Sequence, residues 1–63
     1  MDSTNLGSSN YHTLMVEART AHSRGDYKSA VNLFTVAASV APGPTDRAEA
    51  ERLAQVSRDQ VRG

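Results

Sequence analysis

The chain has 63 residues, seven Lys plus Arg against seven Asp plus Glu, and neither Cys nor Trp. That length leaves room for one small domain and none for a catalytic domain beside a substrate domain. The missing cysteines remove disulfides and thiolate zinc sites, and the zero formal charge removes a global field for nucleic acid or an acidic membrane. No apolar run is longer than Val36-Ala37-Ala38, far short of the roughly 18 residues a membrane span needs. With no secretory-leader pattern at the start, a soluble, cytoplasmic domain is expected.

Apart from Met1, residues 1–10 hold one large apolar side chain, Leu6, among Ser, Thr, Asn, Gly and Asp. Ordering them costs more backbone entropy than their burial returns, so a flexible tail is expected over 1–10 and a folded domain over 11–63. From Tyr11 the spacing changes: Tyr11, Leu14, Met15, Ala18 and Ala21 fall at i, i+3, i+4, i+7 and i+10, one face of a helix over about 11–24. Ser9 or Asn10 is the expected N-cap. Gly25 ends the helix where a left-handed residue is cheapest, and Asp26 caps the next one.

The second helix, expected over about 27–41, is apolar on more than one stripe. Tyr27, Ala30, Val31, Phe34, Ala38 and Ala41 form one face; Leu33, Val36 and Val40 form another, bridged by Ala37. Together they cover roughly 220° of the circumference at 100° per residue, leaving Lys28, Asn32, Thr35 and Ser39 as the wet edge. A helix apolar over that arc needs neighbours on two sides. Pro42-Gly43-Pro44 stops it. Thr45 or Asp46 is the expected cap of a third helix over about 45–61, with Asp46 and Glu49 at capping-box spacing. Its stripe is thin: Ala50, Leu53, Ala54, Ser57 and Val61, widened by Val56. The expected fold is all-α, three antiparallel helices with the second in the middle.

Gly25-Asp26-Tyr27, then Ala30-x3-Phe34, Ala37 and a closing Pro42 resemble a tetratricopeptide repeat, which pairs two antiparallel helices in about 34 residues with these types at these offsets. Leu14 and Ala18 stand at matching positions of the first helix, whereas Glu17 and Ala21 depart from the family's Leu and Tyr. The resemblance covers about residues 11–44. It implies a single helix pair, with the third helix as a polar-faced cap covering Leu33, Val36 and Val40. The microtubule-interacting-and-trafficking domain is similar too, also a three-helix hairpin with a Gly-Asp-Tyr-like turn, but its helices are usually longer. Both resemblances imply a protein or peptide partner.

Catalytic, metal and cofactor chemistry find little footing here. His12 and His22 lie ten residues apart on one helix, about 15 Å along its axis; no carboxylate or second His joins either at i+3 or i+4 on that helix, since Asp26, four residues after His22, lies beyond the Gly25 stop. No Ser or Thr sits in a nucleophile elbow, so no enzyme, cofactor or metal site is expected. Arg47, Arg58 and Arg62 share a stripe of the third helix, which leaves a small nucleic-acid-binding or transcription-modulating protein as an alternative. Glu49, Glu51 and Asp59 neutralise much of that stripe.

The tetratricopeptide resemblance implies that the first helix lines the partner groove, at His12, Met15, Arg19, His22 and Ser23. Independently, these residues share a surface beside the core stripe. Arg19 between two imidazoles favours an acidic segment or a C-terminal carboxylate, with Met15 as an adaptable apolar floor. The core is rich in Ala, and a core this small supplies no more than about 3–5 kcal/mol. Burial completed by another chain is therefore expected, by docking to a partner or as a self-associating homo-oligomer.

Overall fold

The computed structural model describes residues 6–62. Three helices follow one another, α1 (Leu6–Ser23), α2 (Tyr27–Ser39) and α3 (Pro44–Arg62), with no strand among the described residues. Both α1 and α3 pack along α2, the middle helix of a small all-α bundle.

The α1/α2 connection follows from two residues. Gly25 has φ +86°, a conformation that costs a side-chain-bearing residue about 1–2 kcal/mol. With it there, the Asp26 amide reaches back to Ala21 O (2.9 Å) and the Gly25 amide to His22 O (3.0 Å). That pair of bonds satisfies carbonyls the end of α1 would otherwise leave open. Asp26 then serves the next helix: its carbonyl accepts from Ala30 N (3.1 Å) and its Oδ1 from Ser29 N (3.5 Å), as the sequence predicts for a cap.

Helix ends differ from expectation elsewhere. α1 starts at Leu6, so Ser9 and Asn10 lie inside it rather than capping it, and only residues 1–5 of the expected tail fall outside the described residues. Entropy set against burial omits cooperativity: once the periodic segment from Tyr11 nucleates a helix, each added residue gains a backbone hydrogen bond, and no proline blocks propagation. α2 ends at Ser39, two residues before Ala41, with Val40 donating to both Val36 O and Ala37 O at 3.2 Å. Pro42 enforces this, since it disfavours helical backbone in the residue before it. α3 starts at Pro44 itself. A proline has no amide to leave unsatisfied and its φ suits the first helical position, while the Gly43 carbonyl accepts from Arg47 N (3.0 Å). Thr45 and Asp46 therefore occupy the first turn instead of capping it.

The core joins Met15, Ala18, Ala21, Ala30, Phe34, Ala37, Ala38, Ala50 and Ala54, with Tyr11, Leu14, Leu33 and Leu53 packed at its edge. Most members are alanines, so the helices meet with little between them. Phe34 is 1% exposed and, with Ser57, is the largest fully buried side chain. On α2, Ala30 and Ala37 sit to one side of Phe34 and Ala38 to the other, which is how the middle helix meets two neighbours.

The flank on which α3 docks differs from the sequence expectation. α3 does not cover Leu33, Val36 and Val40; Val36 is 48% exposed and the other two are only half-buried. Instead α3 meets α2 beside Ala38, where Thr35 and Ser39 line a groove shared with Ala54 and Arg58. Ala50 and Ala54 on α3 are small and match the small Ala38, whereas Leu33 and Val36 would hold the helices apart.

Candidate interaction cleft between α1 and α3

α1 and α3 meet mainly through side chains, because α2 holds both and separates their backbones. Three contacts cross the seam. The Tyr11 hydroxyl donates to Asp46 O (3.2 Å), Arg19 Nη2 donates to Glu49 Oε2 (3.3 Å), and His22 Nδ1 lies 3.0 Å from Ser57 Oγ. The partners advance together along both helices, so α1 and α3 run parallel. The Tyr11 and His22 contacts each span 35 residues and the Arg19 contact spans 30.

Between these contacts lies an open cleft of about 290 Å³, lined by Arg19, His22, Ser23, Phe34, Leu53 and Val56. Phe34 comes from α2 and forms the floor. Leu53 and Val56, one turn apart on α3, form an apolar wall, and Val56 is 42% exposed. Arg19, His22 and Ser23 form the polar wall on α1. The volume lies at the lower limit of the roughly 300–1,000 Å³ of small-molecule sites, and suits one large side chain of a partner better than a cofactor.

The groove residues expected from sequence separate in the structure. Arg19, His22 and Ser23 line the cleft. Met15 does not floor it: at 5% exposure it belongs to the core, because its position on α1 turns inward toward α2 and α3. His12 is exposed but stands two turns before Arg19, about 10 Å along the axis, and is not part of the lining. Phe34, Leu53 and Val56 are additions. Their membership depends on how the helices meet, and the only sequence signal was the surplus apolar width that Val56 gives α3.

The polar wall has defined chemistry. Arg19 and Glu49 are 62% and 44% exposed, so their pair contributes no more than about 1 kcal/mol, and the guanidinium can exchange Glu49 for another carboxylate. His22 is held more firmly, between Ser57 and the Tyr27 ring, which it meets edge-on with centroids 5.0 Å apart at 73°. At the other end of the seam, burial pushes the Tyr11 phenol above its ordinary 10.0; Asp46 and Glu49 add to the rise and Arg19 opposes it.

The other candidate surfaces are less organised. Arg47 pairs with Glu51 at 3.6 Å, and both lie with Arg58 in the α2/α3 groove, on another side of α3 from the cleft. No group of three or more His, Cys, Asp or Glu able to hold a metal occurs among the described residues. No described helix is long and apolar enough to cross a membrane.

Comparisons with protein-family models, with curated protein sequences and with solved structures found nothing that matches this chain.

Proposed function

We propose that the chain is a non-enzymatic protein-interaction module of tetratricopeptide-like build, acting in the cytoplasm, whose α1/α3 cleft takes a segment of a partner polypeptide. The observation that carries this reading is the cleft itself: an apolar floor and wall of Phe34, Leu53 and Val56 facing Arg19, His22 and Ser23. One apolar side chain of the partner fills the space over Phe34, and a carboxylate beside it takes the Arg19 guanidinium from Glu49. Buried apolar anchors edged by directional polar contacts are how most interfaces concentrate their affinity.

The tetratricopeptide-like build is supported by two features. A left-handed Gly25 makes the turn, and Ala30 and Ala37, small where the family's paired helices approach closely, are wholly buried in the core. Arg19→Glu tests the function. It keeps an exposed position exposed, so helicity should persist while capture of the partner from native lysate falls about tenfold or more, the order of 1.4 kcal/mol or above. Undiminished capture by the folded variant would place the interface elsewhere.

A second reading, self-association, is favoured by the strip of Leu33, Val36 and Val40 that α3 leaves partly uncovered. Sedimentation across a concentration series decides it: a mass that stays at one chain removes this reading.

A further inference from the structure

Ser57 is 0% exposed, the one polar residue among those described that the core encloses. Its hydroxyl carries one proton and two lone pairs, and that proton needs an acceptor. Three other helical hydroxyls bond within their own helix: Thr20 donates to Val16 O at 2.9 Å, Thr35 to Val31 O at 2.7 Å and Ser39 to Val36 O at 2.8 Å. Ser57 makes no such bond among the described residues. It reaches across the seam to His22 Nδ1, 3.0 Å away, and no buried side-chain oxygen or nitrogen described lacks a partner.

This decides which way the bond runs. If the ring donated from Nδ1, the Ser57 oxygen would be satisfied but its proton would be left buried without an acceptor, a loss comparable to a broken hydrogen bond. If the hydroxyl donates to Nδ1, its proton has an acceptor and only lone pairs go unused, the smaller loss. An imidazole that accepts at Nδ1 carries its proton on Nε2. With Nδ1 turned toward the enclosed Ser57, Nε2 faces away from it, and Tyr27 against the ring fixes the orientation. No described residue bonds Nε2, and His22 lines the cleft.

We infer that Ser57 is a positioning residue: it holds the neutral His22 ring as the Nε2–H tautomer, so that the cleft offers a second hydrogen-bond donor beside Arg19. The assignment of that donor to a partner's carboxylate rests on the interaction reading above; the tautomer itself does not. Two donors and no acceptor on these two side chains match an oxygen anion, more strongly than a neutral carbonyl, and reject an ammonium group at the same place.

The test is a long-range 15N–1H correlation spectrum of the free full chain at roughly pH 8.5, where unperturbed imidazoles are neutral. The exposed His12 is the internal reference. In the wild type, His22 Nδ1 should lie nearer the unprotonated extreme than His12 Nδ1, and in Ser57→Ala that gap should close. A His22 proton on Nδ1, a gap absent in the wild type, or a gap that survives in folded Ser57→Ala overturns the inference. If Ser57→Ala does not fold, Ser57→Cys, similar in shape with a weaker donor, replaces it, and the gap should narrow. Because no ligand is present, this result stands apart from whether Arg19→Glu loses the partner.

Discussion

Two of the apolar surfaces left open to water among the described residues differ in kind. The first is the α1/α3 cleft, where Val56 and Leu53 face Arg19, His22 and Ser23 across Phe34. The second is the outer strip of α2, where Val36 lies 48% exposed between the half-buried Leu33 and Val40. Val56 and Val36 are exposed to similar extents, 42% and 48%, so apolar exposure alone does not separate them. What does separate them is concavity and directed polar groups. The cleft has a floor and a wall carrying hydrogen-bonding groups; the strip is one side of a single helix. Scattered exposed valines are ordinary on a protein surface, whereas an apolar recess with fixed donors recognises shape and charge together.

The largest expected effect tests how far the cleft and the core are one object. Phe34 floors the cleft and is also the largest side chain of the core, so Phe34→Ala should cost about 3–5 kcal/mol, comparable with all the stability a core of this size supplies. The variant should lose its cooperative melt, while Val36→Ala on the strip should change stability by no more than about 0.5 kcal/mol. Equal effects would mean the two surfaces are equally important to packing.

Next comes the turn that aligns α1 with α2 and so sets the polar wall. Gly25→Ala meets no neighbouring atom within 4 Å, and its cost is the backbone alone, about 1–2 kcal/mol, read as a lower urea midpoint. A variant as stable as wild type would show that the turn relaxes out of its left-handed state.

The seam itself has a pH signature. The Tyr11 phenol ionises at higher pH in the folded protein than its ordinary 10.0, chiefly through burial. As pH rises past 10.0 the unfolded phenol loses its proton first, so the native state then binds more protons and stability falls with pH. The contribution is full below that pH and is lost as pH rises through the folded value. Tyr11→Phe removes this alkaline component and, with it, the bond to Asp46 O, worth about 0.5–1.5 kcal/mol. Urea midpoints of both proteins on either side of pH 10 check it; an unchanged alkaline slope would contradict the assignment.

The smallest effect is the most specific to the cleft. Glu49→Gln should leave stability within about 1 kcal/mol and release Arg19 for a partner's carboxylate, strengthening capture. Weakened capture would show that the partner uses Glu49 instead.

How much of this was readable in the sequence follows from the range of each interaction. Gly25-Asp26 was legible because a helix stop and the next cap are set by neighbours in the chain. Ala18, Ala30, Phe34 and Ala37 were legible because a helix repeats its faces without reference to its partners. The start of α1 at Leu6 was not, since propagation from a nucleus depends on the helix already formed rather than on local composition. The docking flank of α3 was not either: two apolar faces on α2 said that two neighbours were needed, but small residues at Ala38, Ala50 and Ala54, together with the His22–Ser57 bond, decided which face stayed open. Met15 showed the same limit within the site. Its register placed it beside Arg19, and the approach of the other helices placed it in the core.

On the proposed reading the cleft, and not the α2 strip, receives the partner. Val56→Asp and Val36→Asp each place one carboxylate at an already exposed valine, one on each surface. Circular dichroism should show both folded, and capture from native lysate compared side by side should be lost with Val56→Asp and kept with Val36→Asp. Capture kept by Val56→Asp and lost by Val36→Asp would place the partner on the α2 strip and not in the cleft.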